Sequence, residues 1–202
     1  MWVDFPVYLS QIGYDPFEIG VVLTFNTLLG ALLMLPFGSL SDKYGRKRFI
    51  ITARLISSVA FVLLSIFTGL VEVLIAVSLL GLAFANAGSS FMALLAEKTE
   101  AENRNSTFAI SSFASGIASS AGMLLGAIPP YLSLYFKLSL VNSYRVLFLL
   151  AFLGSLASAI PIIKVKENYK GHKGKIMLFP KVSGIIVKRL AVLGSIGLGA
   201  GV

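Results

Sequence analysis

Cysteine is absent from this 202-residue chain, tryptophan and histidine occur once each, and only 13% of the residues are charged. Without cysteine there is no disulfide framework and no thiolate metal site. Soluble domains carry about 25% charge, so so low a fraction argues against a water-exposed fold. Acids are the scarcer sign, nine against seventeen basic residues, for a net charge of +8. Nucleic-acid binding would need that excess gathered on one face of a soluble fold. Here it falls in a few connections between apolar runs, so no nucleic-acid partner is expected. The lone His172, in YKGHKGK, has no companion ligand. There is no phosphate-cradling loop, no nucleophile beside a plausible base and no zinc constellation. An enzyme, a cofactor and a metal site are therefore not expected.

What the chain has is apolar length. It is 56% apolar, with a mean hydropathy of +0.88. A hydrocarbon core of about 30 Å needs about 20 mostly apolar helical residues. Five runs qualify: Phe17 to Phe37, Phe49 to Leu70, Val73 to Leu95, Phe108 to Ile128 and Tyr144 to Ile163. They are too long and too continuous for the alternation of a membrane β-barrel. The expected fold class is an all-α polytopic membrane bundle of about five complete spans, with partial first and seventh spans. MWVDFPVYL, residues 1–9, reads as the last part of a first span, and LAVLGSIGLGAGV, residues 190–202, as the start of a seventh. The latter rises only about 20 Å as a helix, too little to cross. No basic n-region or cleavage site marks a signal peptide. The expected organisation is a bundle over residues 1–163, a basic connection over 164–189, and the seventh-span start over 190–202.

Charge orients the bundle, because Lys and Arg accumulate in cytoplasmic connections. Lys43, Arg46, Lys47 and Arg48 lie in connection 38–48, Lys98 and Arg104 in 96–107. Eight more run from Lys164 to Arg189. On the alternate side stand only Lys137 and Arg145, with Asp15, Glu18 and Glu72. Connections 38–48, 96–107 and 164–189 are thus expected in the cytoplasm. The glycosylation acceptor pattern Asn105-Ser-Thr107 then falls on the wrong side to be used.

Connection 38–48, GSLSDKYGRKR, is the densest charged stretch. Gly38 and Gly45 allow a tight turn, and Arg46, Lys47 and Arg48 hold the cytoplasmic side. Asp42 is not required by topology. A carboxylate at a helix boundary accepts backbone N–H groups or pairs with a base on a neighbouring helix. A conformational latch and a solvated topogenic loop both fit these residues.

Gly38-Ser-Leu-Ser-Asp42-Lys-Tyr-Gly45-Arg46-Lys-Arg48 resembles the G-x-x-x-D-[RK]-x-G-[RK]-[RK] signature between the second and third spans of the major facilitator superfamily. Tyr8 to Gly20 is similar to that family's first external loop, and Leu79 to Glu97 to its fourth span. Ser143-Tyr-Arg145 opening the sixth span also fits. The resemblance covers essentially the whole chain but about half of a twelve-span protein. It implies two six-helix halves rocking around a central site, with this chain as the N-terminal half, inverted repeats inside it, and a partner in a C-terminal half or a second chain. It further implies that Asp42 and Arg46 bias the closed-inside state, with Glu97 and Arg104 as network members. Two departures stand out. Val77 sits where proton-coupled members often carry Arg, and Gly122-Met-Leu-Leu-Gly126-Ala127 lacks the Pro and final Gly of the antiporters' fifth-span run.

Other residues carry two readings each. Ala114, Ala118, Gly122 and Gly126 recur every four residues, which suits close helix packing, while the serines beside them would form a polar wall toward a substrate. Asp4 could take a cation or a proton, or simply meet water. Asn26 and Asn86 are cavity candidates for a substrate, or helix–helix hydrogen-bond donors. Arg54 snorkels to the cytoplasm. The expectation is a permease in the plasma membrane, embedded in lipid, moving a small solute of unknown identity by alternating access. The alternative is a fragment that does not transport, or a half that acts only when paired.

Overall fold

The computed structural model describes residues 4–165. The expected connection beyond Val165, the seventh-span start and His172 lie outside the described residues. Seven α-helices follow in order: α1 (Phe5–Gln11), α2 (Pro16–Tyr44), α3 (Arg46–Ile66), α4 (Leu70–Lys98), α5 (Arg104–Leu124), α6 (Ile128–Phe136) and α7 (Leu140–Lys164). No strand occurs among the described residues, and the fold is all-α. With α5 and α6 taken as one span, five helical stretches are long and apolar enough to cross a membrane.

Local chemistry sets most boundaries. Asp15 caps α2: its Oδ1 accepts from the Glu18 backbone N–H at 2.7 Å, and Glu18 Oε2 accepts from the Asp15 N–H at 3.1 Å. This reciprocal box, with Pro16 in the first turn, satisfies donors that a helix start leaves open. Gly45 ends α2 and begins α3 as a single residue at φ 102°, a conformation that favours glycine. Gly69 starts α4, with the Glu72 carboxylate folded back over it in the positive field of the helix start.

Three expected boundaries are corrected. Connection 38–48 is not a loop: α2 continues through Asp42 to Tyr44, and only Gly45 is non-helical. The third span ends at Ile66 rather than Leu70, because Thr68-Gly69 opens the next helix. The fifth span does not stop at Ile128. A 3₁₀ turn at Leu125–Ala127 leads into α6, whose first turn holds Pro129 and Pro130, where a missing N–H costs least.

The core gathers where α1, α2, α3, α4 and α7 meet. Tyr8 is fully buried there, its ring 4.9 Å from Phe148 edge-on and 5.4 Å from Tyr144. Its hydroxyl donates to the Leu64 carbonyl at 3.2 Å, so the phenol is satisfied inside an apolar cluster. Helices α2 and α4 run side by side, with their backbones close at Gly30 and Gly81. A Cβ built on Gly81 would lie 2.5 Å from the Asn26 carbonyl oxygen, so only glycine fits there. Beside this crossing, toward the end of α4 that carries Val71, an apolar groove of about 440 Å³ runs between the two helices, lined by Phe25, Leu29, Leu74 and Leu79 among others. No residue of α5 is buried.

Candidate functional site

The one-residue turn at Gly45 launches Arg46 and Lys47 in two directions. Arg46 Nε and Nη2 both donate to Asp42 Oδ1, at 2.9 and 2.8 Å. Its Nη1 donates to the Ala93 carbonyl at 2.8 Å and to Glu97 Oε2 at 3.0 Å. Asp42 is on α2 and Ala93 and Glu97 on α4, so one guanidinium joins the ends of three helices. The planar fork makes this reach possible, since three of its nitrogens donate at fixed angles. The Asp42 side chain is half exposed, Glu97 and Arg46 less so at 34% and 24%. Gly38, two turns back, brings α2 against α4: a Cβ there would meet that of Ser89 at 3.6 Å.

Lys47 reaches the other way. Its Nζ donates to the carbonyls of Ile163 at 2.5 Å and Val165 at 2.9 Å, at the end of α7. Arg48 is exposed. Arg104 is also exposed, at the first residue of α5, and makes no ion pair with Asp42 or Glu97.

The remaining candidates are dispersed. Asn26 Nδ2 donates to the Val77 carbonyl at 2.7 Å, clasping α2 to α4 beside the Gly30–Gly81 contact. Asn86 Nδ2 donates to Thr52 Oγ1 on α3 at 3.1 Å, and its Oδ1 is buried. Both therefore serve helix–helix contacts in this structure. Asp4 sits at the start of α1 with its carboxylate against Gly126, where any added Cβ would collide with it. Of the α5 stripe, Ala114 and Ala118 are exposed, Gly122 is half-buried and Gly126 is buried. Arg54 is half-buried, with its Nε inaccessible to solvent, and its backbone carbonyl accepts from both Ser58 and Ser155.

Sequence reasoning missed the Lys47 contact and the use of the Ala93 carbonyl. Both join residues far apart in the chain, and neither has a local signature.

The opposite end of the bundle holds its own clasp. The Tyr14 hydroxyl donates to the Thr68 carbonyl at 3.0 Å, tying the turn before α2 to the turn before α4. Burial first, and then the nearby Glu18, Tyr8 and Glu72, push its pKa up from 10.0 to about 12. A folded-state pKa above the unfolded value means that this contribution is complete below pH 10 and is lost as pH rises from there through about 12. Stability should therefore fall across that interval in the wild type and fall less in Tyr14→Phe. Denaturant titrations at pH 9 and pH 11.5 test it, and equal pH dependence in the two proteins would refute the assignment.

The model of the Major Facilitator Superfamily matches residues 1–201. A curated relative, the inner membrane transport protein YnfM of Escherichia coli (strain K12), is 31% identical over 93 residues. That match covers 46% of this chain and 22% of the relative, so the aligned part spans about a fifth of the relative's length.

Proposed function

The chain belongs to the major facilitator superfamily, and from that premise we propose that it forms the N-terminal helical half of a secondary active transporter in the plasma membrane. It moves a small solute by alternating access, without catalytic chemistry, and works against a second half that completes the central cavity. The basic segments 38–48 and 96–107 and the connection after α7 face the cytoplasm, following the charge asymmetry. The observation that carries the reading is the Asp42–Arg46–Glu97 chain. Charge-assisted hydrogen bonds of this kind are the stronger ones, and these hold α2, α3 and α4 together at a single face of the bundle. Among the described residues, the hydrogen bonds that Asp42 accepts from Arg46 fall on Oδ1.

Hydrogen–deuterium exchange on the full-length protein in nanodiscs, comparing wild type with Asp42→Asn, tests the proposal. The expected result is faster exchange at the cytoplasmic ends of α2 and α4 together with slower exchange at their external ends. Opposite signs at the two faces are what alternating access demands. A change at one face alone, or none, would sink it.

A further inference from the structure

The signature residue Lys47 has a second partner set that the Arg46 network does not explain. Helix α7 ends at Lys164, and its last carbonyls, like those of any helix, lack the i+4 N–H partners of the helix interior. Two carbonyls at this end, of Ile163 and Val165, converge on the Lys47 ammonium. A cation at a helix C-terminus meets both the open carbonyls and the negative end of the helix dipole. The Val165 N–H closes the turn on the Ile162 carbonyl at 3.1 Å, so the lysine holds a tightened last turn rather than a frayed end.

Beyond Val165 the sequence carries Lys166, Lys170, Lys173 and Lys175, the basic connection toward the next span. Lys47 follows Arg46 directly, so the residue that holds α2 to α4 and the residue that holds the exit of α7 share one turn of α3. Their separation along the chain, 116 residues between Lys47 and Ile163, means that no local propensity produces the contact.

We propose that Lys47 is a positioning residue that fixes the exit of the inter-half connection to the turn at Gly45. A displacement of the first turn of α3 is thereby passed to the connection, and tension on the connection is passed back to the Asp42–Arg46–Glu97 cluster. The consequence for transport rests on the alternating-access reading above, whereas the contact itself does not.

The test uses the full-length protein in membrane vesicles, in a background whose only cysteine is at position 165. This chain contributes none of its own. The measured quantity is the rate at which a membrane-impermeant maleimide labels Val165→Cys from the cytoplasmic face. Lys47→Met should raise that rate about tenfold, the scale of a well-placed cation at a helix C-terminus. Lys47→Arg, which can still donate to both carbonyls, should return it to near the wild-type rate. The melting temperature of each variant shows whether the bundle as a whole has loosened. A Lys47→Met rate equal to wild type in a folded protein overturns the proposal. So does a raised rate that Lys47→Arg fails to restore, because simple loosening of the packing would do the same. Failure of the transport reading would appear instead in the exchange experiment on Asp42→Asn and would leave these rates unchanged.

Discussion

Replacing Arg46 by methionine separates the ends of α2 and α4 that carry Asp42 and Glu97, and replacing it by lysine recovers only part of the loss. Methionine keeps much of the length and apolar stem but takes from Asp42 and Glu97 the guanidinium they share. It also removes the donors to Asp42, the Ala93 carbonyl and Glu97. Hydrogen bonds to charged groups contribute about 1.5–3 kcal/mol each when shielded. The Asp42 side chain is 50% exposed, which moves the effect to the lower end of that range. The expected outcome is about a tenfold shift toward the separated arrangement, since about 1.4 kcal/mol is a factor of ten. Lysine restores charge but supplies one nitrogen where three are used, so it can satisfy Asp42 or Glu97 but not both. Spin labels at the exposed positions Tyr44 and Lys98 report the separation directly, through the width of their distance distribution. A narrow, unshifted distribution in Arg46→Met would show that the cluster does not hold these helices.

Gly81→Ala should destabilise the bundle by about 1–3 kcal/mol, the usual cost of forcing extra volume into a packed contact. The new Cβ lands 2.5 Å from the Asn26 carbonyl oxygen and 3.3 Å from the Gly30 nitrogen. Both are backbone atoms, so no side chain can rotate away and α2 itself must move. Moving it also stretches the Asn26 to Val77 hydrogen bond, and interhelical bonds in membranes average about 0.6 kcal/mol. Gly30→Ala is the matched control. Its Cβ would sit 3.5 Å from the Gly81 carbonyl, an ordinary contact, so it should cost little. Unfolding in mixed detergent micelles, followed by circular dichroism, compares the two. Equal stability would mean that α2 and α4 are not in backbone contact at this level.

The number of spans could be read directly from hydropathy, because a bilayer imposes length and apolarity without regard to packing. Boundaries were harder to read where polarity and helicity part company. Ser39, Ser41, Asp42 and Lys43 look like loop residues, yet α2 carries them as its final turns, and Ser41 Oγ bonds back to the Gly38 carbonyl at 2.9 Å. Likewise the expected end of the fifth span is Ile128, but a 3₁₀ turn at Leu125–Ala127 leads the chain on into α6. Among candidate residues, the Asp42, Arg46 and Glu97 grouping followed from the family resemblance, and the structure brings these three into contact. Asn26 and Asn86 showed their polarity in the sequence but not their partners. What an amide donates to depends on which helix packs beside it, and that is a property of the whole bundle.

The length of α2 has a further consequence. Its 29 residues rise about 44 Å, against a hydrocarbon thickness of about 30 Å. With its start at one boundary of the hydrocarbon, roughly the last nine residues, Asp42 among them, stand beyond the acyl chains at the other as a helical stalk. At that level mobile ions reach the charges, and at physiological ionic strength they screen over about 8 Å. The half-exposed carboxylate on this stalk is therefore open to screening by salt, and the hold of Arg46 on Asp42 should weaken as ionic strength rises.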